Sequence, residues 1–143
     1  MSEETREPQR HTGFLLRRAQ QRHVAAWQAV IPGDVTSVQY GVLAVLDRRP
    51  GLAQKEICAE LDLDRSTVAD ICSRMEKNGL LTRVAARDDR RRNVLDLTPE
   101  GRRELARLRP LVDAVQDRLT EQLSREELEQ LRTLLGKILR DET

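Results

Sequence analysis

The chain has 143 residues, 34% of them charged and 38% hydrophobic, with a formal net charge of +1, which fits one soluble folded domain and excludes a disordered chain. Aromatic residues make up only 2%, so the core must be built from Leu, Val, Ile and Ala, which favours packed helices over an aromatic-rich β-sandwich. The longest stretch without a charge or histidine, residues 35–46, contains Thr, Ser, Gln and Tyr and falls short of the ~20 apolar residues that span a bilayer, so no membrane segment is expected.

Residues 1–10 alternate Glu and Arg with no apolar stretch, so no secretory leader is expected and the cytoplasm is the expected compartment. Residues 12–31 carry Leu16, Ala19, Val24, Trp27 and Ile31 at helical spacing, and Pro32-Gly33 stops the pattern. Thr36 or Ser37 can cap a second helix through Val38, Val42, Val45 and Leu46, which ends near Pro50-Gly51. Residues 54–61 put Ile57, Cys58 and Leu61 on one face; after a short break, residues 64–78 do the same with Val68, Ile71, Cys72 and Met75, and Gly79 closes the helix. Two short helices joined by a tight turn read as a helix-turn-helix.

Beyond Gly79 the period changes to two. Leu81, Arg83 and Ala85 alternate with Thr82 and Val84, and Asn93, Leu95 and Leu97 alternate after a charged segment, which predicts a β-hairpin. Thr98-Pro99-Glu100 supplies an N-cap, a proline at the first helical position and an acid in the first turn of a new helix. Its stripe of Leu105, Leu108, Val112, Val115 and Leu119 has coiled-coil-like spacing, and Pro110 within it is expected to kink the helix. Ser124-Arg125-Glu126-Glu127 opens a last helix carrying Leu128, Leu131, Leu135, Ile138 and Leu139. The fold class is therefore mainly α, a helix-turn-helix followed by a small β-hairpin wing and flanked by helices at both ends.

Net charge hides distribution. Arg83, Arg87, Arg90, Arg91 and Arg92 cluster around the hairpin loop against Asp88 and Asp89, while residues 121–142 are acid-rich, so a basic tip on a near-neutral body is expected. With its apolar face turned inward, the second helix of the pair leaves Arg65, Ser66, Thr67, Asp70, Ser73, Arg74 and Lys77 outside. A first turn that is small, polar and cationic can enter a major groove ~12 Å wide, although a merely solvated helix presents a similar face. Consecutive arginines at a hairpin tip repel one another unless an anion offsets them, and a narrow minor groove supplies strong negative potential. Double-stranded DNA is the expected partner, with Gln54, Arg65, Ser66, Thr67, Asp70, Ser73, Arg74, Lys77, Asp89, Arg90, Arg91 and Arg92 as candidate contacts.

The chain resembles MarR-family transcriptional regulators over nearly its full length. The resemblance rests on Leu63-Asp64-Arg65-Ser66-Thr67-Val68, on Glu76-Lys77-Asn78-Gly79-Leu80-Leu81-Thr82-Arg83, and on Asp89-Arg90-Arg91 followed by Leu97-Thr98-Pro99-Glu100-Gly101. Asp89-x-Arg91 is the most specific part, and it implies that Arg91 reaches the minor groove while Asp89 orients it. The resemblance further implies one domain over residues 1–143, with residues 12–31 and 99–142 as dimerisation helices around a winged helix-turn-helix lobe at 36–98. A homodimer would read an inverted repeat with half-sites ~34 Å apart, most often as a repressor. Ala53 departs from the Ser, Thr or Asp that often caps the first helix of the pair; either Gln54 compensates or that helix end frays.

His23 and Trp27 share a helix face, Arg17, Arg18 and Arg22 lie nearby, and Tyr40 follows on the next helix. Cation, imidazole and rings together suit an aromatic carboxylate; the same residues also serve as core fillers and solvated arginines. The segment resembles MarR-type repressors of aromatic-acid catabolism, especially those answering to protocatechuate, which implies a carboxylate anchor at Arg17 or Arg18 and an effector site with His23, Trp27 and Tyr40. Cys58 and Cys72 match neither a disulfide framework nor a paired-Cys zinc motif and are expected to be reduced, inward-facing thiols; oxidation sensing is the competing reading. His11 and His23 are the only histidines, so no metal site is expected, and no cofactor is implied. The absence of a glycine-rich phosphate loop, a His-Glu-x-x-His and a nucleophile-elbow serine argues against an enzyme, leaving a helical adaptor as the alternative to a DNA-binding regulator.

Overall fold

The computed structural model describes residues 6–140. The chain forms two compact units, Ile31–Val112 and a second built from the residues up to Val30 together with those from Asp113 onward. The first holds α2 (Ser37–Arg48), α3 (Gln54–Leu61), α4 (Arg65–Lys77), β1 (Leu81–Ala85), β2 (Asn93–Leu97) and the start of α5 (Pro99–Leu119). The second holds α1 (Thr12–Val30), the end of α5 and α6 (Arg125–Leu139).

Local signals set the ends of these elements. Thr36 and Gln39 form a reciprocal capping box at the start of α2, and Ser124 and Glu127 form another at α6. Ala53 offers no side-chain acceptor at the start of α3; the Glu56 carboxylate instead accepts the Ala53 backbone N–H at 3.1 Å, so neither Gln54 nor fraying resolves that helix end. Asp62 adopts a left-handed conformation at φ 54°, and Leu63 N–H donates to the Cys58 carbonyl, which closes the tight turn between α3 and α4. At the other end of α4, Gly79 has φ 77° while Gly79 and Leu80 donate to the carbonyls of Glu76 and Met75, a Schellman closure.

The two strands pair antiparallel from Leu81↔Leu97 to Ala85↔Asn93. Leu52, in the α2–α3 connection, bridges to Leu95, which ties the middle of β2 to that connection. Val42, Leu43, Leu46, Ile57, Val68, Cys72, Met75, Leu95, Leu105 and Leu108 are buried. Ile71, Cys58 and Leu61, expected to face inward, are half-buried, because short helices present only part of their apolar face to one neighbour. Pro110 does not interrupt α5, which is helical from Pro99 to Leu119.

In the other unit Ala26, Trp27 and Val115 are buried, but α6 buries no residue. Leu134, Ile138 and Leu139 are 56%, 60% and 73% exposed, and Leu16, Val24, Leu119 and Leu131 are exposed as well. A helical period records which face is apolar; it does not say whether the same chain covers that face.

The return from the hairpin into α5 has no slack. The Thr98 hydroxyl donates to the Gly79 carbonyl at 2.6 Å, Thr98 N–H donates to the Leu80 carbonyl at 3.1 Å, and a Cβ on Gly101 would lie 2.2 Å from that same Leu80 oxygen. Because backbone rather than a flexible side chain blocks the space, Gly101→Ala is expected to destabilise the chain by about 1–3 kcal/mol or more. Thermal unfolding followed by circular dichroism tests this, and an unchanged midpoint would show that the close approach can relax.

Candidate nucleic-acid interface

The exposed face of α4 begins with an anchored first turn. Asp64, the N-cap, accepts the Thr67 N–H at 3.3 Å and the Ser66 hydroxyl at 2.6 Å, and it also accepts the Thr67 hydroxyl. Donation from Ser66, and then from Thr67, holds the Asp64 carboxyl down at about 2, below its ordinary 3.8. With their protons committed to Asp64, these hydroxyls offer oxygen lone pairs for further contacts. Further along the helix, Arg74 pairs with Asp70 at 2.6 Å and Arg83 of β1 approaches Glu76 at 3.6 Å. Arg65, Ser73 and Lys77 are exposed, and among the described residues Arg65 and Lys77 have no ion-pair partner.

The hairpin loop has its own internal order. Ala86 N–H donates to the Arg92 carbonyl at 2.8 Å, and Arg92 N–H donates to the Asp89 carbonyl at 3.1 Å. The Asp89 carboxylate accepts the backbone N–H of Arg91 at 3.0 Å, so Asp89 fixes the main chain beneath Arg91. Arg87, Arg90 and Arg91 are exposed and, among the described residues, carry no ion pair. Arg92 behaves differently: its guanidinium donates to Glu56 at 3.2 Å and to Asp88 at 3.1 Å. Donation from Arg92 pulls the Asp88 carboxyl below its usual range, and the same bond raises the Arg92 guanidinium above its own.

One expected contact is thus turned toward protein: Arg92 holds Glu56 and Asp88. Gln54, at the start of α3, is half-buried. Burial pushes the Cys72 thiol up, away from the thiolate that redox chemistry requires. Glu56 is the residue that spacing alone passed over; its signal was an acid three residues after the N-cap position, Ala53.

The effector candidates fall in both units. His23 and the buried Trp27 meet edge to face with ring centroids 6.0 Å apart, and the Arg17 guanidinium stands 5.3 Å from the Phe14 ring centroid. Arg18 is exposed on the same helix. Tyr40 lies on α2 in the other unit, where Arg109 pairs with Asp47 at 2.8 Å. Among the described residues no group of His, Cys, Asp and Glu is placed to hold a metal ion, and no helix is long and apolar enough to cross a membrane.

A family model described as MarR family matches residues 33–92. The transcriptional regulator HosA of Escherichia coli is 35% identical over 124 residues, spanning 87% of this chain and 91% of HosA. The chain belongs to the MarR family. Two solved structures resemble it over nearly its full length. The transcriptional repressor CouR, bound to a 23-mer DNA duplex, is 35% identical with a TM-score of 0.87, covering 98% of this chain and 99% of CouR. BpsR of Bordetella bronchiseptica, whose DNA binding is regulated by 6-hydroxynicotinic acid, is 28% identical with a TM-score of 0.92, covering 96% and 99%. A MarR-family chain of this kind is a DNA-binding, repressor-like transcriptional regulator with a winged-helix fold, and not an enzyme.

The Asp64 cap gives this MarR-family chain a defined acid response. Its carboxyl sits lower in the folded chain than in the unfolded one, so its contribution to stability is full above the ordinary value of 3.8 and is lost as the pH falls toward about 2. The unfolding midpoint of Asp64→Ala is expected to lie a few degrees below wild type at neutral pH, with the gap closing below pH 4. Calorimetry across that range tests it; a gap independent of pH would remove the ionised cap from the account.

Proposed function

We propose that the chain binds an inverted-repeat operator as a homodimer, with α4 in the major groove and the hairpin loop in the minor groove, and that an aromatic carboxylate such as protocatechuate releases it. The observation that carries this reading is the state of the charges in the Ile31–Val112 unit. Asp64, Asp70, Glu76 and Asp88 are each engaged by hydroxyl or guanidinium groups, whereas Arg65, Lys77, Arg87, Arg90 and Arg91 stand exposed without ion pairs among the described residues. A near-neutral chain thereby presents free cations in one region, as phosphate binding requires. Arg91 is the inserted side chain and Asp89 its backbone support; Ser66, Thr67, Ser73 and Arg65 face the bases, and Lys77 and Arg90 meet phosphate.

A second copy of the chain is the occupant of the exposed apolar faces of α1 and α6, since leucines and isoleucines exposed in series favour association. For the effector, Arg17 or Arg18 anchors the carboxylate, with His23 and Trp27 of the same helix beside the ring. BpsR, regulated by a hydroxylated heteroaromatic acid, supports that ligand class. Release then follows by population shift, in which a coupling of ~1–3 kcal/mol weakens operator binding roughly 5- to 150-fold.

The test is fluorescence anisotropy of a labelled duplex from upstream of the chain's own gene, at two salt concentrations, with and without protocatechuate. Tight, salt-sensitive binding relieved by the acid is expected; binding without relief would discard this ligand, and no binding even to random duplex at low salt would defeat the DNA contacts. Arg91→Ala is expected to weaken binding and to flatten the slope of log affinity against log salt by about 1, with dimerisation unchanged. Leu134→Glu together with Ile138→Glu is expected to yield a monomer in analytical ultracentrifugation that binds the duplex weakly; a persistent dimer would move the interface elsewhere.

A further inference from the structure

We propose that Arg92 is a positioning residue: held between Glu56 and Asp88, it straps the hairpin loop to the first turn of α3 and thereby sets where Arg90 and Arg91 stand. The proposal rests on the DNA-binding reading above and assigns one of its arginines a different task. Arg92 reaches across the sequence to Glu56 at 3.2 Å while holding Asp88, within its own loop, at 3.1 Å. Glu56 is itself fixed, because the oxygen that receives Arg92 also accepts the Ala53 N–H that starts α3.

The strap is the end of a longer chain of alternating charge. Arg48 and Arg49 at the end of α2 both bind Glu60 of α3, and Arg49 also lies 4.0 Å from Glu56, which passes the alternation to Arg92 and Asp88. An isolated exposed pair holds little, since two long side chains must be ordered for one contact. Here Arg49, Glu56, Glu60 and Arg92 each serve two partners, so ordering one side chain supports two contacts. The middle of β2 is already sewn to the α2–α3 connection by Leu95 N–H to the Leu52 carbonyl at 2.8 Å and by Gly51 N–H to Asp96 at 2.6 Å. Those bonds do not reach the loop. Arg92 adds the attachment nearest the loop, where Arg87, Arg90 and Arg91 repel one another and would otherwise splay.

The alternative, that Arg92 meets phosphate, makes opposite predictions. Removing an acid beside DNA strengthens binding if that acid only repels phosphate; if Glu56 works through Arg92, removing its charge weakens binding. Glu56→Gln is the informative variant, because glutamine still caps the Ala53 N–H while losing the charge. Arg92→Gln removes the strap, and Arg92→Lys keeps the charge without the fork that spans two carboxylates.

Anisotropy with the upstream duplex, over a salt series, is expected to show all three variants weakened about three- to tenfold with the wild-type salt slope, and Glu56→Gln/Arg92→Gln no weaker than Arg92→Gln alone. Hydrogen exchange of DNA-free protein is expected to show faster exchange at the loop amides of 87–91 in each variant, with α6 unchanged. Glu56→Gln binding as tightly as wild type or tighter, Arg92→Lys matching wild type, a slope for Arg92→Gln reduced by ~0.9, or unchanged loop exchange would each overturn the strap. If the wild-type chain binds no duplex, the functional reading fails, and loop exchange alone then decides the strap.

Discussion

The close approach of Gly101 to the Leu80 carbonyl governs the rest of the winged unit. The chain leaves α4 through Gly79, forms the hairpin and returns through Thr98, and both passages meet at one point, where the Thr98 hydroxyl bonds the Gly79 carbonyl. That junction sets the Leu81↔Leu97 register, because the strands begin and end directly beside it. A one-residue slip of β2 would turn Leu95 and Leu97, both buried, away from the core. The loop arginines therefore inherit their place from a backbone contact that involves no charge.

Charge then refines what packing has placed. In a chain of net charge +1, what a polyanion meets depends on which charges are already engaged. Asp64 spends its carboxylate on two hydroxyls and a backbone amide, Asp70 on Arg74 and Asp88 on Arg92. Each pairing lowers the repulsion that DNA would meet and orients a neighbour. The exposed ion pairs of Asp70 and Asp88 contribute little to stability and act on geometry and the local field, whereas the Asp64 cap also stabilises the start of α4.

Much of this was legible from residue order. The helices follow from apolar residues at three- and four-residue spacing, the hairpin from the switch to a period of two, and the start of α5 from Thr98-Pro99, all within windows that local physics controls. Side-chain direction at a distance was not legible. Arg92 belongs to a run of arginines and reads as one more phosphate contact until its partner, Glu56, is known from the fold. Gln54 counted as a candidate contact, yet it is half-buried at the start of α3. The same holds for α6, whose leucines announce an apolar face while leaving open which chain covers it.

The two kinds of electrostatic contact in this region differ in how they meet salt. The pairs of Arg92 close at 3.1 and 3.2 Å, well inside the ~8 Å over which charges are screened at physiological ionic strength, and each guanidinium bond has hydrogen-bond geometry as well. On the proposed reading, phosphate contacts such as that of Arg90 would draw instead on counterion release, whose contribution falls continuously as salt rises. Over the ionic strengths at which DNA affinity drops most steeply, the loop therefore keeps its shape. On that reading salt would set how strongly the arginines are attracted, while the bonds of Arg92 to Glu56 and Asp88 would keep the loop in place when a duplex arrives.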